Sequence, residues 1–176
     1  MTKMLLLMRH AKSSWNDPAL ADFDRKLNGR GLKAAACMGT HIRETGIIPE
    51  LVLCSSAWRA RETWELIQES FHEMIEAKAM MGLYLASPNQ ILRAIRTVPN
   101  NVRHLLVLAH NPGVKELAHR LATDSRGGDA CGFLEETPAR FPTAALALFT
   151  VEINSWSEID QGSTHLGEFI IPRELT

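Results

Sequence analysis

Hydrophobic positions along this chain follow two rhythms, and the rhythms alternate. Lys3-Met4-Leu5-Leu6-Leu7-Met8 is a short apolar run, the pattern of a strand buried on both faces. Asn28 can cap a helix that begins near Gly29, carries Leu32, Ala35, Ala36, Met38, Gly39 and Ile42, and stops at Gly46 as its C′ glycine. Leu51-Val52-Leu53-Cys54 predicts a second buried strand, followed by a helix from about Ala57 to Phe71. Ala77 to Met81 gives a weaker strand signal. Pro88 opens a helix through Ile91, Leu92 and Ile95 that stops before Pro99. Leu105-Leu106-Val107-Leu108-Ala109 is the clearest strand and runs into His110-Asn111-Pro112-Gly113 and a helix to about Ala122. Residues 123 to 141 read as a loop. Ala144 to Val151 alternates like a strand, with Glu168 to Ile171 as its antiparallel partner across a polar loop from Trp156 to Gly162.

Strands alternating with helices predict a three-layer α/β sandwich, its central sheet mostly parallel with an antiparallel edge. In such sheets ligands bind beyond the carboxyl ends of the strands. Those positions hold Arg9-His10 after the first strand, Ser55 to Arg59 after the second and His110-Asn111 after the strand at 105 to 109. Two arginines and two histidines therefore meet at one edge of the sheet.

Composition narrows the ligand. With 176 residues, 45% hydrophobic and 22% charged, the chain suits one globular domain spanning 1–176. The net charge of -1 gives no global attraction to nucleic acid or anionic membrane, so anion binding must be local. Cys37, Cys54 and Cys131 show no metal-ligand spacing and read as reduced thiols of a cytoplasmic protein. No apolar run is long enough for a membrane span or a signal peptide. No metal or cofactor is expected.

Arginine forks match phosphoryl oxygens and stay charged at any working pH. A neutral imidazole can attack phosphorus, and a second can carry a proton and stabilise the transferring group. Two Arg and two His thus make a self-sufficient phosphoryl-transfer site, to which backbone N–H groups after Asn111 can add.

Four segments carry a resemblance. Arg9-His10-Ala11-Lys12 with the trailing Trp15-Asn16, Arg25-Lys26-Leu27-Asn28 before the first helix, Ser55 to Thr63 with Arg59-Ala60 inside it, and His110-Asn111-Pro112-Gly113 resemble, in order, the motifs of the histidine phosphatase (phosphoglycerate mutase-like) superfamily. The Arg-His-Ala-Lys variant is most similar to SixA-type phosphohistidine phosphatases. The resemblance implies a phosphoglycerate mutase-like fold with His10 as nucleophile, Arg9 and Arg59 as phosphoryl clamps and His110 completing the pocket. Asn16 and Asn111 would add phosphate hydrogen bonds. The nucleophile's other ring nitrogen would rest on a backbone carbonyl.

The departures are informative. Ala11 and Lys12 replace the usual Gly and Glu, and Lys12 adds positive charge at the mouth. The middle segment Met81 to Ser87 holds no carboxylate, where many members carry their general acid. A phosphoramidate asks less of an acid than an alkoxide does, so the gap favours phosphohistidine. Asp124, Asp129, Glu135 or Glu136 could still supply one. Cys54 precedes Arg59 with four residues between, where a cysteine phosphatase loop needs five, and reads as a core cysteine. Arg61 should face elsewhere on its helix.

The expected activity is hydrolysis of phosphohistidine on a protein, such as a histidine-containing phosphotransfer domain. Alternatives are a phosphatase for small phosphorylated metabolites and a non-catalytic phosphate-binding module.

Overall fold

The computed structural model describes residues 2–122, 141–160 and 162–174. Strands β1 (Thr2–Arg9), β2 (Leu51–Ser55), β3 (Glu76–Met80), β4 (His104–Ala109), β5 (Leu146–Glu152) and β6 (Thr164–Ile170) form one sheet in the order β3-β2-β4-β1-β5-β6. Its first four strands are parallel; β5 and β6 run antiparallel at one edge. Helices α1 (Gly29–Thr45), α2 (Trp58–Gln68), α3 (Pro88–Arg96) and α4 (Gly113–Ala122) cover its faces. The expected three-layer α/β architecture is the one observed.

The continuous apolar run of β1 is explained by this layering. Leu6 and Met8 pack with Met38, Ile42, Trp64 and Ile67 of α1 and α2. Leu5 and Leu7 point the other way, to Ile91, Ile95, Val114 and Leu117 of α3 and α4. With a face period of two, a strand sandwiched by helices must be apolar at every position.

Local signals set the helix ends. The Asn28 side chain accepts from Gly31 N at 2.9 Å, and Gly46 closes α1 in the left-handed region with φ 72°. Ser87 and Gln90 form a capping box at the start of α3, with Pro88 beside it. Of the apolar and small residues α1 carries, Leu32 and Ala36 face solvent, and the buried stripe is Gly31, Ala35, Met38, Gly39 and Ile42. β6 starts at Thr164, earlier than predicted, because pairing with β5 recruits polar residues the pattern did not mark. The polar loop after β5 hides a core residue. Trp156 is fully buried and its indole Nε1 donates to the carbonyl of Val102 at 2.9 Å. Among the described residues no helix is long and apolar enough to cross a membrane.

Candidate active site

Strand register builds the site. Arg9 pairs with Ala109 across β1 and β4, so His10 and His110 leave adjacent strand ends side by side. Their rings are 4.9 Å apart between centroids. β2 lies on the far side of β4, and its last residue, Ser55, reaches His110 with Oγ 2.7 Å from Nε2. Arg59 comes in from the first turn of α2, buried like both histidines.

Hydrogen-bond partners fix the protons. His10 Nδ1 lies 2.7 Å from the carbonyl of Ala11, which can only accept, so Nδ1 carries the proton and Nε2 keeps its lone pair. Arg59 Nε donates toward that lone pair at 3.3 Å. Arg59 Nη2 is 3.4 Å from His110 Nδ1, and since a guanidinium only donates, the proton of His110 sits on Nε2 and goes to Ser55 Oγ. Burial, reinforced by His110, pushes the His10 pKa down to about 3. Burial and then Arg59 push His110 down to about 3 as well. Both imidazoles are therefore neutral in the resting site.

The loop holding His10 is tied down at two points. Thr63 Oγ1 accepts from the Ala11 N–H at 3.0 Å and donates to the Arg59 carbonyl at 2.6 Å, joining nucleophile and clamp. Gly31 of α1 touches the Lys12 backbone so closely that a Cβ there would sit 2.2 Å from its carbonyl oxygen. Arg9 Nη1 donates to the Phe141 carbonyl at 3.0 Å, and Asn111 Nδ2 donates to the same oxygen at 2.9 Å.

The cavity above these residues has a volume of about 390 Å³. Arg9, His10, Arg59, His110 and Asn111 all line it, with Asp22, Arg25 and Trp15 at its rim. Asn16 is not brought there. It is exposed, and its backbone N–H donates to Ser14 Oγ at 3.2 Å, so the Trp15-Asn16 pair closes a turn. Arg61 stands clear of the cavity with its guanidinium over Trp58. Cys54 is buried in β2, and burial pushes its thiol up to about 12. The loop carboxylates Asp124, Asp129, Glu135 and Glu136, like Cys131, lie outside the described residues. Among the described residues no group of three or more His, Cys, Asp or Glu is placed to hold a metal ion.

The profile of the histidine phosphatase superfamily (branch 1) matches residues 5–83. An uncharacterized protein of Mycobacterium tuberculosis is 38% identical over 168 residues, covering 94% of this chain and 100% of its own. The chain belongs to the histidine phosphatase superfamily. The provisionally assigned phosphohistidine phosphatase SixA of Nakamurella multipartitia superposes with a TM-score of 0.83 at 25% identity, over 98% of this chain and 97% of that one. Its Agrobacterium tumefaciens counterpart gives 0.77 at 27% identity, over 97% and 98%. The fold is phosphoglycerate mutase-like, and the protein is a phosphatase with SixA-like structural neighbours.

Three residues of this histidine phosphatase site, Asp22, Tyr84 and Arg25, were not singled out by sequence reasoning. Asp22, from the short 3-10 turn Asp22–Asp24, reaches Arg59 Nη2 at 2.9 Å and Arg25 Nη1 at 2.8 Å. Its backbone carbonyl accepts from Arg59 Nη1 as well. Tyr84 donates its hydroxyl to Asp22 at 2.7 Å and so stands in the middle segment where no carboxylate is found. This bond and Arg59 outweigh the effect of burial and hold the Asp22 carboxyl below its ordinary value. Arg25, read in the sequence only as part of the approach to α1, is buried, donates to Ser13 Oγ at 2.6 Å and stacks 3.3 Å over Trp15. No spacing rule marks Asp22; its one signal is that it lies three residues before Arg25.

Proposed function

We propose that this phosphatase hydrolyses phosphohistidine on a protein, such as a histidine-containing phosphotransfer domain, through a phospho-His10 intermediate. The observation that carries the proposal is His10 itself: neutral, lining the cavity, protonated on Nδ1 by its contact with Ala11, with an unprotonated Nε2 that is held by Arg59 Nε until the phosphoryl group takes that donor. In this reading the phosphoryl group displaces Asp22 from Arg59, and its non-bridging oxygens take the Arg9 and Arg59 donors. His110 takes a proton from solvent on Nδ1 as the dianion arrives, donates that N–H to a phosphoryl oxygen, and gives the proton back to solvent when orthophosphate leaves. His10 Nε2 forms the new N–P bond as the bond to the substrate imidazole breaks. That imidazole leaves neutral, its second nitrogen having been protonated beforehand. Water then attacks phosphorus, orthophosphate departs, and Nε2 recovers its lone pair.

The acid at the mouth supports this leaving group. In the free site Tyr84 and Arg59 hold the Asp22 carboxyl below its ordinary value, and the middle segment Met81 to Ser87 brings no carboxylate of its own, so a leaving group that asks little of an acid fits this site. The rim supports a protein substrate. Trp15 is 77% exposed, and Leu85 is 55% exposed on a left-handed backbone with φ 48°, an arrangement of order 1 kcal/mol in strain for a leucine. Both line the cavity, and large apolar groups held open at a cavity mouth suit a protein partner. The SixA-like neighbours support the same substrate. A cytoplasmic setting and a role in phosphotransfer signalling belong to the proposal, in keeping with free Cys37 and Cys54.

The cavity volume of about 390 Å³ also falls within the range for small ligands, which favours small phosphomonoesters as the second reading. The test is turnover by wild type and His10→Ala on a phosphohistidine protein, p-nitrophenyl phosphate and sugar phosphates. Preferential, His10-dependent loss of phosphohistidine is expected. Preference for a sugar phosphate would replace the substrate, and turnover by His10→Ala would refute the intermediate.

A further inference from the structure

Beside the catalytic cavity lies a larger one of about 570 Å³. Arg9, Lys12, Asn111 and Thr143 form the wall common to both. Beyond that wall, Arg30 from the first turn of α1, Lys115 from α4 and Arg173 from the 3-10 turn Pro172–Glu174 line the second hollow. Three elements far apart in the sequence thus bring cations to one place, and Arg9 and Lys12 complete the set. Among its described lining residues none is acidic, although the chain carries 20 Asp and Glu against 19 Lys and Arg. Ala34, Phe141 and Ile171 give it an apolar floor.

Arg9, Lys12, Arg30 and Lys115, like charges gathered around an apolar floor, repel one another, and the arrangement becomes favourable when an anion sits among them. The shared wall carries a second sign. Arg9 Nε is buried and has no hydrogen-bond partner among the described residues, while its Nη1 is already committed to Phe141. A buried donor of this kind is costly unless a ligand acceptor meets it.

We infer that this cavity is a second anion subsite, taking anionic oxygens of the substrate beyond its transferred phosphoryl group. On the proposed phosphohistidine substrate, on which this inference rests, those oxygens are carboxylates of an acidic segment beside the phosphorylated residue. On a small molecule they would be a second phosphate. The site selects phosphoryl groups with an anionic neighbour, which the catalytic cavity alone cannot do.

The test measures inhibition of p-nitrophenyl phosphate turnover by two peptides carrying phosphoryl-triazolylalanine, a stable analogue of phosphohistidine. One is flanked by Glu, the other by Ala. A parallel arm compares propane-1,3-bisphosphonate with propylphosphonate. The Glu peptide is expected to bind about tenfold more tightly at low salt, with the advantage shrinking in 1 M salt because the cavity is open. In Arg30→Ala/Lys115→Ala the advantage should fall below about threefold. Lys33→Ala/Arg93→Ala removes two exposed cations that line neither cavity and should keep it. Equal binding of both peptides, or an advantage that survives Arg30→Ala/Lys115→Ala, overturns the inference. If neither peptide inhibits, the phosphohistidine reading fails and the bisphosphonate arm decides. A tenfold preference lost in the double variant keeps the subsite with a small ligand, and no preference overturns it.

Discussion

Thr63 is the part of this site whose removal has the most definite consequence. It is fully buried, and its hydroxyl links the Ala11 N–H to the Arg59 carbonyl. Thr63→Val keeps the shape of the side chain, so it opens no cavity. What it removes is the acceptor for Ala11, and an orphaned buried N–H costs about 1–3 kcal/mol. A central value of about 2 kcal/mol corresponds, for a domain of this size, to a fall in Tm of about 4–8 °C. The functional effect follows from the same bond. The Ala11 carbonyl holds the proton on His10 Nδ1, so a loosened Ala11 lets the imidazole sample the other tautomer and lowers kcat, by about tenfold if roughly 1.4 kcal/mol of orientation is lost. Denaturant unfolding reads the first effect, and the ¹⁵N shifts of the His10 ring read the second. Thr63→Ser restores the hydroxyl and should recover kcat and the tautomer while remaining somewhat less stable than wild type. A Val variant within about 0.5 kcal/mol of wild type and with an unchanged His10 spectrum would refute the strut.

Asp22→Asn removes the carboxylate that now holds Arg59, so orthophosphate should inhibit about three- to tenfold more strongly, a modest gain because the Asp22 side chain is 46% exposed; weaker inhibition would show that Asp22 helps bind phosphate. His10 and His110 sit at about 3 in the folded protein against 6.5 in the free side chain. The unfolded chain therefore takes up protons first as pH falls. This contribution to stability is complete above about pH 6.5 and is lost toward pH 3, by up to about 1.4 kcal/mol per histidine per pH unit. Urea unfolding between pH 7.5 and 4.5 should show the decline and His10→Gln should reduce its slope, whereas an unchanged stability over that window would contradict the neutral pair. Cys54, with its thiol raised by burial, should react with a thiol reagent only after unfolding; labelling at the native rate of an exposed thiol would place it outside the core.

The parts of the site that were legible in the sequence are those that depend on strand ends. Arg9-His10 and His110-Asn111 each follow an unbroken apolar run, and a parallel sheet places such residues at one edge whatever its detailed packing. Arg59 was legible by its place after the second strand, and Thr63 only as the last residue of the Ser55 to Thr63 segment that carries the resemblance. Asp22 and Arg25 were not, because they sit in irregular chain where no period exists to be read. Asn16 was assigned to phosphate by resemblance, and the turn it closes carries it away from the cavity.

The sequence by itself determined the alternation of strands and helices, the caps of α1, the Pro88 start of α3, and which strand ends carry chemistry, because these follow from periodicity and local hydrogen bonding. Only the tertiary structure decided the proton positions on the two histidines, the grip of Asp22 and Tyr84 on Arg59, and the gathering of Arg30, Lys115 and Arg173 beside Arg9. Each of these depends on partners separated by tens of residues, whose distance is set by how helices pack on the sheet, and no local pattern encodes that distance.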